Sequence, residues 1–312
     1  MAQTLFEKIK SYPSFEPPYW CKGGHLQTLL GHFLPRQELS ENFELIKIPT
    51  QDQDQLIAYF QRGTTNKLII LFHGLAGSTN SGYMTRLGNC FFEQGHSVLL
   101  VNHRGAHPEF PYSSGIYHSG RSEDMSSVFG WAKEKFPDLI SIAMGFSMSA
   151  NILLLNLAGV RSEHQPDFAV VVNAPLNLGD AAYHLDRGLS RLYGLHFTKE
   201  LSAQHGLKQW PKSIRKFDEI FTAPRAGYNS AQEYYESCSA AGYVDRIKTP
   251  TVVLTAKDDP FISSHLFENL NWPESVHLRI EDAGGHLGYI QKTQSGQGRW
   301  LDEYLKFIVD TL

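Results

Sequence analysis

Cysteine is scarce: the 312 residues contain three, Cys21, Cys90 and Cys238, widely separated and odd in number. They imply no disulfide framework and no Cys/His zinc spacing, and a reducing compartment suits such a chain. An excess of one charge is also lacking. Lys and Arg number 28 against 32 Asp and Glu, a net charge of −4. The two signs are interspersed, so there is no basic surface to track phosphates, and nucleic acid is not expected as a partner. No apolar run approaches the roughly 20 residues a membrane helix needs; Leu68 to Phe72 and Ala169 to Val172 are typical of those present. The stretch from Met1 to Lys8 lacks the charged head, apolar middle and small-residue cleavage site of a signal peptide. A cytoplasmic protein with no transmembrane segment is therefore expected, with peripheral contact at a membrane surface left open. Internal repeats and low-complexity tracts are missing too. So are HExxH, GxGxxG and GxxxxGK[ST], which leaves no expectation of a metal or a cofactor.

What the chain does have is an ordinary globular composition, 42% hydrophobic, 19% charged and 12% aromatic, over a length that suits one large domain with an insertion. Short apolar runs alternate with longer helical patterns. Lys67 to Phe72, Ser97 to Asn102, Leu139 to Met144, Phe168 to Asn173 and Thr251 to Thr255 read as strands buried on both faces. Val276 to Ile280 alternates apolar and polar residues, as a half-buried strand near a sheet edge does. Gly82 to Gln94, Ser122 to Lys135, Met148 to Leu157 and Arg299 to Leu312 read as helices, with Ser122 expected to cap the second of them. This alternation predicts an α/β fold with a mostly parallel sheet flanked by helices. The core is expected to comprise residues 1–175 and 245–312, with an N-terminal arm over about residues 1–40. Between them, residues 176–244 hold helical patches, no buried strand and many aromatics, among them Tyr183, Tyr193, Phe197, Trp210, Phe217, Phe221, Tyr234 and Tyr235. They read as a helical cap over the carboxyl ends of the strands, where open α/β sheets bind ligands. The aromatics either line a site there or pack the insertion's own small core.

Gly-x-Ser occurs four times, ending at Ser97, Ser122, Ser147 and Ser190. Only Gly145-Phe146-Ser147 directly follows a complete apolar strand and directly precedes an apolar helix, the setting of a nucleophile elbow. There a tight turn projects the hydroxyl above the sheet, and the N–H of Met148 points at the site from the helix N-terminus. His73-Gly74-Leu75-Ala76-Gly77 follows the first strand, so the Leu75 N–H is the expected second donor of an oxyanion hole. Lys257-Asp258-Asp259-Pro260-Phe261 and Gly284-Gly285-His286-Leu287-Gly288 follow two later strands. Each motif alone is weak. Together Ser147, Asp259 and His286 stand in the order nucleophile, acid and base, each at the carboxyl end of a strand. The two acids are adjacent and only one can face the imidazole; Pro260 biases Asp259 towards an extended backbone, and Asp259 is the expected acid. A non-catalytic ligand-binding protein is the alternative class, and it rests on one feature: the fifth position of the elbow, usually glycine, is Ser149.

At this point the chain resembles the YheT-like branch of the α/β-hydrolase superfamily, which includes bacterial hydrolases and eukaryotic abhydrolase-domain esterases and phospholipases. The resemblance runs through Pro18-Tyr19-Trp20-Cys21-Lys22-Gly23-Gly24-His25-Leu26-Gln27-Thr28, the turn at His73 and Asn102-His103-Arg104-Gly105. It continues through Tyr117-His118-Ser119-Gly120, the elbow at Ser147, the Asp259 segment and Gly284-Gly285-His286. It implies hydrolysis of carboxylic esters by Ser147, Asp259 and His286 without a cofactor, on a small-molecule or lipid ester; the aromatic and aliphatic side chains of residues 176–244 add the expectation of an apolar acyl group. Thioesters, lipid esters and small esters all remain open, as does the oligomeric state. His25 and His118 are expected to serve hydrogen bonding rather than catalysis.

Overall fold

A computed structural model describes residues 2–34, 37–107, 113–293 and 296–312. Eight strands form one sheet: β1 (Glu44–Pro49), β2 (Gln55–Gln61), β3 (Lys67–Phe72), β4 (Ser97–Val101), β5 (Ile140–Phe146), β6 (Phe168–Val172), β7 (Thr251–Ala256) and β8 (Val276–Glu281). Their spatial order is β1-β2-β4-β3-β5-β6-β7-β8. From β4 to β8 every pair is parallel; β2 joins β4 antiparallel, and β1 closes that edge antiparallel to β2. The five strands expected from apolar runs and the sixth expected from alternation are all present. The β1–β2 pair was not expected, because its turn carries no Gly or Asn signal: Gln53 takes the left-handed conformation instead, at φ 64°. A second small sheet pairs β9 (Ile290–Thr293) with β10 (Gly296–Arg299).

Alternate residues of β3 serve opposite cores, since side chains on a strand alternate between faces. Ile69 and Leu71 pack with α3 (Gly82–Glu93), α12 (Trp300–Thr311) and, from the arm, Phe6 and Ile9 of α1 (Ala2–Lys10). Leu68, Ile70 and Phe72 pack with α4 (Ser122–Lys135) and α5 (Met148–Leu157). Ser122 does not cap α4 as expected. It is the first helical residue, and its hydroxyl donates instead to the Val160 carbonyl, 2.5 Å away. In the arm, α2 (Gly24–Phe33) follows α1, and Arg279 donates to the carbonyls of Tyr12 and Pro13 between them, at 3.0 Å each.

From β6 to β7 the regular structure is entirely helical: α6 (Leu178–Leu185), α7 (Arg191–Gln204), α8 (Ile214–Phe217), a π-helical turn (Asp218–Thr222), α9 (Ala223–Arg225) and α10 (Ala231–Cys238), with three short 3₁₀ turns. A last short helix, α11 (His265–Glu268), lies between β7 and β8. No helix among the described residues is long and apolar enough to cross a membrane. The connection leaving β3 runs towards β4, on one side, and that leaving β5 runs towards β6, on the other. Between the carboxyl ends of β3 and β5 the sheet therefore has a topological switch point, the place where a crevice opens in this architecture.

Candidate active site

Two of the sequence motifs flank that crevice: the His73–Gly77 turn leaves β3 and the Ser147 elbow leaves β5. Ser147 sits at φ 55°, ψ −118°, an elbow conformation that a non-glycine residue adopts only when its surroundings enforce it. The enforcement is visible. The Ser147 N–H donates to the Val172 carbonyl of β6 at 2.9 Å, and α5 starts at the next residue. Position 145 must be glycine, because a Cβ there would lie 2.7 Å from the Ser149 carbonyl oxygen. Position 149 tolerates a hydroxymethyl group. Ser149 is fully buried, its hydroxyl donates to the His73 carbonyl, and it lies 2.6 Å from His103 Nε2. Burial holds His73 down to about 4 and His103 well below the usual imidazole range, so both rings are neutral in this network. The serine that departs from the usual elbow thus ties the elbow helix to the turn after β3.

Ser147, His286 and Asp259 come together, although Ser147 and His286 are 139 residues apart in the chain. His286 Nε2 is 2.8 Å from Ser147 Oγ, and His286 Nδ1 is 2.7 Å from Asp259 Oδ2. An ionised carboxylate only accepts, so Nδ1 carries the imidazole proton and Nε2 is left to accept from the serine hydroxyl. Asp259 is held from several sides. Its Oδ1 accepts the N–H groups of Phe261 and Ile262 at 3.1 Å each, and its Oδ2 also accepts from Asn173 Nδ2 at 2.7 Å. Asp258 faces elsewhere: its Oδ1 accepts the Gly285 N–H at 2.8 Å. Burial raises the Asp258 carboxyl above its usual range, partly offset by that N–H.

The turn after β3 is braced so that one N–H stays available. Gly74 donates to the Tyr83 hydroxyl at 2.7 Å, Ala76 to the Tyr117 hydroxyl at 3.2 Å, and Gly77 to the Gly74 carbonyl at 3.1 Å. Among the described residues no acceptor takes the N–H of Leu75 or that of Met148, and both residues line the same cleft as Ser147. That cleft has about 810 Å³ of open space. Its wall is largely apolar, with Leu185, Leu201, Phe217 and Phe221 from the helical segment between β6 and β7. The aromatics of that segment divide: Phe197, Phe217, Phe221, Tyr234 and Tyr235 line the cleft, whereas Tyr183 and Trp210 do not and are 51% and 37% exposed. No group of three His, Cys, Asp or Glu side chains among the described residues is arranged to hold a metal ion.

Sequence reasoning missed Asn173, and it named the arm without giving it a role. Asn173, at φ 51° beyond the end of β6, bridges Asp259 to the base loop, donating to the Gly285 carbonyl at 3.3 Å as well. Its only sequence signal was its place at the carboxyl end of a strand. In the arm, Thr28 Oγ1 accepts the His286 N–H at 2.8 Å and donates to the Gly24 carbonyl at 2.7 Å. Gln27 grips the same loop's exit, accepting the Ile290 N–H at 2.6 Å. The GGHLQT segment is therefore packed on the loops carrying both Asp258 and His286. His25 and His118 take part in hydrogen bonds, His25 Nδ1 with the Tyr193 hydroxyl at 3.2 Å and His118 Nδ1 accepting from Gly120 N–H at 3.2 Å.

Contact between arm and acid loop leaves no room at Gly24, where a Cβ would lie 1.6 Å from the Asp258 carbonyl oxygen. Gly24→Ala is expected to lower ester kcat/KM at least about tenfold and the melting temperature by a few degrees, the usual cost of overpacking being about 1–3 kcal/mol. Gly242→Ala is the control, since nothing lies within 4 Å of a Cβ there. Equal behaviour of the two variants in p-nitrophenyl ester assays and thermal melts would show that the arm does not support the loops.

No family model matches the chain. It is 31% identical to YheT of Escherichia coli (strain K12), over 96% of this chain and 94% of that protein. It is 27% identical to the human phospholipase ABHD3, over 96% of this chain and 79% of that one. The esterase Pf2001 of Pyrococcus furiosus shares its fold, with a TM-score of 0.59 at 17% identity, covering 97% of each chain. Likeness to YheT along almost the whole of both chains, joined to this sheet and elbow, places the chain in a family: it belongs to the YheT-like branch of the α/β-hydrolase superfamily.

Proposed function

We propose that this ester hydrolase works by acyl transfer through Ser147, on esters whose acyl group is apolar. The reading is carried by one observation: the Ser147–His286–Asp259 chain of hydrogen bonds ends, at its serine, in a largely apolar cleft. Ser147 Oγ attacks the ester carbonyl while His286 Nε2 takes its proton. The Leu75 and Met148 N–H groups receive the developing oxyanion, an arrangement worth several kcal/mol of barrier lowering. The proton on Nε2 then goes to the leaving alcohol, and the acyl-enzyme forms. Water attacks it in a second round, with His286 again as base and Ser147 Oγ as leaving group. Asp259 keeps the imidazole in the tautomer that makes Nε2 the base.

Residues 176–244 act as a cap in this proposal and supply much of the acyl site. Ester hydrolysis is also supported by the phospholipase activity in the name of the human relative. A cytoplasmic location belongs to the same proposal, supported by three cysteines that are all free thiols. The alternative of a binding protein drew on Ser149 alone, and Ser149 is accommodated with its hydroxyl hydrogen-bonded.

The cleft makes a prediction about chain length. Each methylene moved from water into it contributes about 0.8 kcal/mol, close to fourfold in kcat/KM. p-Nitrophenyl octanoate is therefore expected to be turned over with a kcat/KM at least an order of magnitude above that of the acetate. A steady fall in kcat/KM from acetate to octanoate would refute an apolar acyl site.

A further inference from the structure

One group on the cleft wall does not suit a plain hydrocarbon chain. Asp218 lines the cleft between Phe217 and Phe221, at the start of the π-helical turn Asp218–Thr222. Such turns are rare and concentrate at functional sites. Its Oδ2 accepts the Tyr235 hydroxyl at 2.7 Å. Burial raises its carboxyl to about 6, and the negative charge of Asp186 pushes the same way. Asp218 is nonetheless only half-buried, and it is among the residues that line the cleft. A carboxyl group loses solvation in such a place, and leucine would suit an alkyl chain better. An acid retained there, with acceptor capacity remaining beyond the Tyr235 bond, is suited to bind a donor on the ligand.

We infer that the acyl pocket takes chains carrying a hydroxyl group, whose O–H donates to Asp218. This rests on reading the cleft as the acyl site. A hydroxyl matches better than an ammonium, which would surrender a tightly held hydration shell among Leu185, Ile214 and Phe221. The Tyr235 hydroxyl on the same carboxylate shows that the group accepts a neutral donor.

The test uses p-nitrophenyl octanoates with a single hydroxyl moved along the chain carbon by carbon, compared with unsubstituted octanoate. For at least one isomer, wild-type kcat/KM is expected to equal or exceed that for octanoate. Asp218→Leu is expected to lower the ratio of that isomer to octanoate by about tenfold or more, because the hydroxyl would then be buried unpaired. Asp218→Asn, close in shape, is expected to change the ratio less and to retain the wild-type melting temperature. It serves as the second variant should the leucine fail to fold, and a ratio unchanged in it would then count against the inference. The inference is overturned if every hydroxylated isomer is poorer than octanoate by the same factor in wild type and Asp218→Leu. If octanoate itself is not hydrolysed and Ser147 is not labelled by a fluorophosphonate, the acyl-transfer reading falls, and this inference with it. Hydrolysis of octanoate with no hydroxyl preference removes the inference alone.

Discussion

Ser147→Ala is expected to lower kcat for p-nitrophenyl octanoate by a factor of about 10⁴ or more, to end labelling by a fluorophosphonate, and to leave the melting temperature within a degree or two of wild type. Loss of a nucleophile in related serine catalysts costs this much because what remains, an oxyanion site and bound substrate, has nothing to acylate. Stability is spared for a structural reason. The strained backbone at φ 55° is imposed by the Ser147 bond to β6 and by the start of α5, and alanine meets the same conformation with the same Cβ. What is lost is one hydrogen bond at the mouth of the cleft, to His286 Nε2. Ser149 is the informative control. Its hydroxyl is buried and committed to the His73 carbonyl, so Ser149→Ala should still be labelled. Labelling that survives in Ser147→Ala and disappears in Ser149→Ala would move the nucleophile two residues along the elbow.

Asp259→Asn is expected to lower kcat by up to about 10⁴, whereas Asp258→Asn should cost about tenfold or less. The geometry separates the neighbours. Asp259 Oδ2 meets both His286 Nδ1 and Asn173 Nδ2, at 2.7 Å each. An amide at position 259 presents a donor to both of these donors unless it turns its oxygen inward. With the oxygen inward, the amide nitrogen faces the Phe261 and Ile262 N–H groups, which are donors as well. Either orientation leaves buried donors opposed; with the nitrogen towards His286, the imidazole relieves its own clash by placing its proton on Nε2, where it can no longer act as base. Asp258 has a simpler task, since accepting the Gly285 N–H is within reach of an amide oxygen. Single-turnover rates of both variants at one pH, with circular dichroism to establish folding, decide the matter. A severe Asp258→Asn and a mild Asp259→Asn would exchange their roles.

The two acids illustrate what was legible beforehand. Asp259 stood out because Pro260 biases the residue before it towards an extended backbone, and because Asp259-Pro260-Phe261-Ile262 matches the acid loop of many α/β-hydrolases. The sheet was legible too. Strands buried on both faces must be apolar throughout, so β3, β4, β5, β6 and β7 stood out as short runs, and parallel topology sends all their carboxyl ends to one edge. Three loops bearing serine, aspartate and histidine were thereby directed to one crevice before any distance was known.

Other features depend on which distant segments touch, and local pattern does not carry that. Thr28 meets His286 across 258 residues, and Asn173 meets Asp259 across 86, through adjacency of β6 and β7. Whether Phe221 faces the cleft or Trp210 faces outward is set by how short helices pack on one another, since the sequence marks both as aromatic without assigning either a side. The β1–β2 hairpin escaped notice because β1 lies at a half-exposed edge and Gln53 fills a turn position that glycine or asparagine usually announces. Ser149 shows the division most plainly. In the chain it is a departure from the usual elbow; in the fold its hydroxyl finds the His73 carbonyl and His103. The sequence by itself determined β3 to β8, the elbow and the chain order of Ser147, Asp259 and His286, because backbone periodicity and loop length are local. Only tertiary structure decided what braces them, because a buried hydrogen bond needs both partners, and here the partners are far apart in the chain.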